Sequence, residues 1–189
     1  MATVHDKVFV PFISKEDIQQ RVKELADQIN ADYDGKNPLL IGILNGSFIF
    51  AADLFRHLVV NAEISFIKLA SYKGTTSTGN VVTAIGMEED LHGRHVIIVE
   101  DIIDTGKTLS AFLPEIHHRQ PASVKIATFL TKPDALKHNV AADYTAFKIE
   151  NKFVVGYGLD YDGLGRNLPD LYILKEEEPK SETEPLAAE

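Results

Sequence analysis

Val96-Ile97-Ile98-Val99-Glu100-Asp101-Ile102-Ile103-Asp104-Thr105-Gly106-Lys107-Thr108-Leu109 is the stretch on which the reading of this 189-residue chain turns. It opens on a run of β-branched residues that is too short for a buried helix and apolar on both faces. That pattern belongs to a parallel strand covered above and below. A small, acidic turn follows, and helical spacing predicts a helix from about Lys107 to His118.

The Gly106-Lys107-Thr108 step superficially matches a P-loop, but the glycine that motif needs five positions earlier is Asp101. Two adjacent carboxylates would also repel a triphosphate held there, so a nucleotide triphosphatase is disfavoured. A sugar phosphate suits the corner better. Thr105, Gly106, Lys107 and Thr108 at a helix start offer backbone N–H groups, hydroxyls and the positive end of the helix dipole to a phosphate monoester. Glu100 and Asp101, just upstream, can accept hydrogen bonds from ribose hydroxyls and attract a hard cation such as magnesium.

Working outward, Ser14 and Asp17 cap a helix whose apolar positions are Ile18, Val22, Leu25 and Ile29, ending near Tyr33 to Gly35. Leu39 to Leu44 reads as a buried strand, Asn45-Gly46-Ser47 as a turn, Phe48 to Leu58 as a helix, and Glu63 to Tyr72 and Asn80 to Ile85 as strands. Between those strands, Lys73 to Gly79 has no apolar residue to pack and is expected to project as a mobile loop. Val124 to Leu130 is the next strand. The later runs at Ala146 to Ile149, Phe153 to Tyr157 and Leu171 to Leu174 have no helices between them and suggest a smaller, partly antiparallel annex. The expected fold is therefore α/β: a three-layer, mostly parallel sheet core over about 36–140, with a small hood from the N-terminal segment and about 141–174. Residues 1–174 form one domain in this reading, and ligands are expected beyond the carboxyl ends of the core strands.

Composition bounds the rest. The chain has no cysteine, which removes disulfides, cysteine nucleophiles and cysteine metal sites, and it fits a reducing compartment. No apolar run approaches the roughly 20 residues that span a bilayer, and the N-terminus is not a signal peptide, so a cytoplasmic protein without membrane contact is expected. The net charge of -9 argues against nonspecific nucleic-acid binding. Much of it lies in Lys175 to Glu189, where six glutamates and two prolines face only two lysines, and this tail (175–189) is expected to be disordered. The seven histidines show no metal-ligand spacing, and no Gly-x-Ser-x-Gly supports a hydrolase.

The strand, the acidic pair and the Asp-Thr-Gly that follows resemble the signature of the phosphoribosyltransferase family. From Leu40 to Leu174 the chain is similar to its branch acting on hypoxanthine and other 6-oxopurines. The other matching anchors are Leu44-Asn45-Gly46-Ser47, Ser71-Tyr72, Lys132, Phe153-Val154-Val155-Gly156-Tyr157-Gly158-Leu159-Asp160-Tyr161, and Arg166. The resemblance implies magnesium-dependent transfer of a phosphoribosyl group from phosphoribosyl pyrophosphate to a purine. It implies that Leu44, Asn45 and Gly46 present backbone to pyrophosphate across a non-proline cis peptide, where the family often has lysine in place of Asn45. It implies that Ser71 and Tyr72 open a loop that closes over the site, and that Lys132 donates to the exocyclic oxygen of the base, Phe153 stacks on it and Val154 meets its edge. Asp160 is implied as a metal or base-edge ligand beside Glu100 and Asp101, Arg166 as a pyrophosphate ligand, and Asp104 as the acceptor of the purine N7 proton. A homodimer or homotetramer with small-molecule substrates is expected. A regulatory protein that keeps this fold to sense a nucleotide is the alternative, opposed by the retained Asp104 and the acidic charge.

Overall fold

The computed structural model describes residues 1–72 and 81–176, with 70–72 and 81–85 described by backbone alone. In chain order the elements are β1 (Ala2–Val4), β2 (Lys7–Ile13), α1 (Lys15–Asp32), β3 (Leu39–Leu44), α2 (Phe48–Arg56), β4 (Glu63–Tyr72) and β5 (Val81–Ile85). They continue with β6 (His95–Ile103), α3 (Lys107–His118), β7 (Ser123–Thr131), a short 3-10 turn at Pro133–Ala135, β8 (Tyr144–Lys148), β9 (Val154–Val155) and β10 (Leu171–Leu174). The expected loop after Tyr72 and the acidic tail from Glu177 lie outside the described residues.

The main sheet runs β5-β4-β3-β6-β7-β8, parallel throughout except for the antiparallel edge strand β5. Its strands are apolar on both faces because helices cover both. Leu40, Ile97 and Val99 point toward α1 and α2, while Leu39, Ile41, Val96 and Ile98 point toward α3, as the period-two alternation of a strand demands. Ser14 caps α1 through its Oγ, which accepts from the Asp17 N–H at 3.1 Å, and Ile18, Val22, Leu25 and Ile29 on its inner face are buried. The chain runs outward from β3 to β4 and then returns to place β6 on the other side of β3. That reversal opens a crevice at the carboxyl ends of β3 and β6, where doubly wound sheets bind ligands.

The structure departs from the sequence reading at the end of β6, at β8 and in the N-terminal segment. β6 continues in parallel register with β7 as far as Ile103, so Glu100 and Asp101 are strand residues instead of turn residues. β8 pairs in parallel with β7 inside the main sheet instead of joining the annex, although only the 3-10 turn and an irregular segment connect the two. The N-terminal helix packs on the main sheet and leaves the hood to β1 and β2, which the sequence reading does not assign as strands. The hood sheet runs β1-β2-β10-β9, so the two ends of the chain meet through strands. No helix among the described residues is long and apolar enough to cross a membrane.

Candidate active site

Glu100 and Asp101, consecutive on a strand, face opposite ways. Glu100 lines a cavity of about 240 Å³ together with residues 102–109. Asp101 lines a second cavity of about 230 Å³ with Ile102, Asp104, Lys132, Phe153, Val154, Leu159 and Asp160. Ile102 and Asp104 border both, so the two cavities meet at the end of β6.

The first cavity opens onto the N-terminus of a helix. Gly106 precedes α3 at φ +76°, a conformation most side chains resist, and the helix then presents its N-terminus to the cavity. The turn is held from behind: the Thr105 carbonyl accepts from the N–H groups of Lys137 and His138 at 3.0 and 3.1 Å. Sequence reasoning missed this support because it uses only main-chain atoms. Glu100 is 8% exposed, and its Oε2 is buried without a hydrogen-bond partner. Burial, with the Asp101 charge adding to it, holds the Glu100 carboxyl well above the usual range.

The second cavity gathers the residues expected to meet a base. Lys132 follows β7, is 7% exposed, and sets its Nζ 3.4 Å from Asp104 Oδ2. A buried ammonium beside one carboxylate keeps unused donors that a carbonyl oxygen can take. Phe153 is 44% exposed, so part of its ring is open to solvent, while the rest packs against buried Phe9 at 6.0 Å and the edge-on Tyr161 ring at 5.6 Å. Burial pushes the Asp101 carboxyl up to about 6, against the opposing pull of its hydrogen bond from the Ile102 N–H and of the Arg166 charge.

The third component lies beyond β3. The Leu44–Asn45 peptide is cis, as the resemblance implied. A side chain at Gly46 would overlap the Asp101 carboxylate, and one at Gly158 would overlap the Gly46 carbonyl. Glycine at both positions therefore lets the Asn45–Gly46 turn, the end of β6 and the segment after β9 close on one another. Arg166 donates to the Gly158 carbonyl and pairs with Asp160, both at 2.6 Å, and Asp160 also accepts from the Gly163 N–H at 2.7 Å.

Among the described residues, no three acids or histidines converge on one point as a protein metal cage would. Magnesium needs no such cage, since it binds through one or two carboxylates and keeps waters and substrate oxygens. Glu100 and Asp101 fit that role. One has an orphaned oxygen, and the ionised form of both is disfavoured by burial that a cation would offset. Asp160 fits less well, because its two oxygens already hold Arg166 and Gly163. Ser71 and Tyr72 end β4.

The family model described as phosphoribosyl transferase domain matches residues 14–162. A hypoxanthine-guanine phosphoribosyltransferase of Streptococcus pneumoniae is 47% identical over 166 residues, covering 87% of this chain and 92% of its own. A hypoxanthine-guanine-xanthine phosphoribosyltransferase of Tritrichomonas foetus is 42% identical over 164 residues, covering 86% and 90%. A crystal structure of a hypoxanthine-guanine phosphoribosyltransferase from Bacillus anthracis superposes with a TM-score of 0.81 at 40% identity, covering 87% of this chain and 97% of that one. The chain belongs to the phosphoribosyltransferase family.

Proposed function

We propose that this chain transfers the 5-phosphoribosyl group of phosphoribosyl pyrophosphate to N9 of hypoxanthine and guanine. The products are inosinate or guanylate and pyrophosphate, so the reaction salvages preformed bases. The observation that carries this reading is the meeting of an anion cavity and a base cavity at Asp104. A nucleotide has its phosphate and its base at opposite ends of one ribose, which matches that arrangement. The names of the relatives support the choice of substrates.

In this reading the N–H groups and hydroxyls from Thr105 to Thr108 hold the 5-phosphate at the start of α3. Glu100 and Asp101 lie under the ribose, where carboxylates accept from its hydroxyls and tolerate the positive charge that develops as the C1–pyrophosphate bond breaks. Arg166 and the backbone of Leu44, Asn45 and Gly46 receive the leaving pyrophosphate. Glu100 and Asp101 would hold a magnesium ion that arrives with the substrate, and it would supply charge neutralisation there. Lys132 donates to the 6-oxygen of the base, Phe153 stacks on its ring and Val154 meets its edge. As N9 bonds to the sugar, the base becomes more acidic, and Asp104 accepts the proton from N7. We further propose that the protein works as a homodimer or homotetramer, a reading that rests on the family resemblance.

The test is turnover of each base with magnesium and phosphoribosyl pyrophosphate. Hypoxanthine and guanine should be converted, and adenine should be a poor substrate because the Lys132 ammonium cannot accept from a 6-amino group. Tight nucleotide binding without turnover of any base would contradict the reading and favour a sensor.

A further inference from the structure

Two chain segments form the part of the site assigned above to pyrophosphate, and they come from distant stretches of the sequence. One is the Asn45–Gly46 turn between β3 and α2. The other runs from Gly156 to Arg166. They touch at the Gly46 carbonyl and Gly158, where there is no room for a side chain. A second link joins them behind that contact. The Tyr157 hydroxyl donates to Asp53 Oδ2 at 2.8 Å, across 104 residues of sequence. Gln19 of α1 donates to the same oxygen at 2.6 Å, and Arg56 lies 3.9 Å from the other.

Tyr157 is an unexpected residue for its position. Its φ is +48°, between Gly156 at +105° and Gly158 at +101°, in a run of left-handed conformations where glycine is the easy choice. A tyrosine there is disfavoured by its backbone and must be held by its side chain. Tyr157 is 3% exposed, and its ring packs at 4.8 Å between centroids on Phe129 of β7. Burial, with the hydrogen bond to Asp53 adding to it, pushes the hydroxyl well above its ordinary pKa, so it remains a donor throughout the working range.

Each end of this link is rigidly connected to a ligand-facing group. Asp53 sits in the same short helix that begins at the Asn45–Gly46 turn, and buried Ser47 ties that turn to the end of β3 through Oγ to the Ile43 carbonyl at 2.7 Å. On the other side, the N–H of Gly158 donates to the Arg166 carbonyl at 3.0 Å, while the Arg166 guanidinium returns to the Gly158 carbonyl. Arg166 therefore moves with the residue next to Tyr157.

We propose that Tyr157 is a positioning residue: through Asp53 its hydroxyl fixes the separation between the Asn45–Gly46 turn and Arg166, and so sets how tightly the pyrophosphate end of the substrate is held. This rests on reading those two segments as the pyrophosphate site. Tyr157→Phe keeps the ring and its packing and removes only the link. It should raise KM for phosphoribosyl pyrophosphate about tenfold, the scale of one lost hydrogen bond to a charged acceptor, and leave KM for hypoxanthine within about twofold. Asp53→Asn, which keeps an accepting oxygen, should stay near the native value. Asp53→Ala should reproduce Tyr157→Phe, and the double variant should be no worse than either, as for two residues acting through one contact.

A lower unfolding temperature with both KM values unchanged would overturn the proposal, since it would leave Tyr157 a purely structural role. An equal rise in both KM values would also overturn it. Arg166→Ala, measured alongside, separates the two claims. If it raises KM for phosphoribosyl pyrophosphate while Tyr157→Phe does not, only the link fails. If Arg166→Ala has no effect either, the assignment of the pyrophosphate site fails with it.

Discussion

In the proposed reaction Asp104 and Lys132 carry the proton transfer and the base contact, and the structure places them within 3.4 Å of each other where the two cavities join. Asp104→Asn preserves size and some hydrogen bonding but removes the base. It should lower kcat by about 10²–10⁴ with little change in KM for phosphoribosyl pyrophosphate, as steady-state kinetics with hypoxanthine would show. A near-native rate would refute the proton role. Lys132→Ala removes the proposed donor to the 6-oxygen and should act mainly on KM for the base, by about tenfold or more. At this scale the grouping of the candidate residues is legible in the sequence, because those from Glu100 to Thr108 are contiguous and a strand, two acids and a helix start each leave a local trace. Tyr157 and Asp53 left none as a pair. Each reads as an ordinary core or helix residue until the fold brings them together.

The helices and parallel strands of the middle of the chain follow from apolar runs of the right length separated by turn residues, which is why β3, β4, β6, α3 and β7 appear close to where spacing places them. β1 and β2 were not legible, since β2 finds its partner β10 at the far end of the chain and a short run with Asp6 and Lys7 beside it carries no signal of that. β8 was misplaced for a related reason: a parallel neighbour usually announces itself through a crossover helix, and here there is none. Side chains now account for its position. Arg21 of α1 donates to the carbonyls of Thr145 and Ala146, and the Tyr144 hydroxyl donates to Asp32 Oδ2 at the end of the same helix. That hydrogen bond, with Lys125 adding to it, holds the Asp32 carboxyl below its ordinary value. A carboxylate with a depressed pKa stabilises the fold above its unfolded pKa and loses that contribution as pH falls through the folded one. Tyr144→Phe should thus lower stability by about 1 kcal/mol at neutral pH, measured by urea unfolding, with the deficit shrinking as the pH is taken below the carboxylate range. A deficit independent of pH would show that the loss comes from packing alone.

Across the whole molecule, the reversal of strand order between β3 and β6 brings three distant stretches to one crevice. The Asn45–Gly46 turn, the β6–α3 corner and the segment from Phe153 to Arg166 meet there, and glycines at their contacts let them close. Phe153 and its supporting ring of Tyr161 then complete the second cavity, where the base is proposed to bind. The central claim is that the β6–α3 corner grips a ribose 5-phosphate, with amides at the phosphate and carboxylates at the sugar. A crystal structure with inosinate tests it most directly. The account predicts the phosphate within hydrogen-bond distance of the N–H groups from Thr105 to Thr108, the ribose hydroxyls at Glu100 and Asp101, and the base between Phe153 and Lys132. A nucleotide bound elsewhere, with that corner free of phosphate, would contradict it.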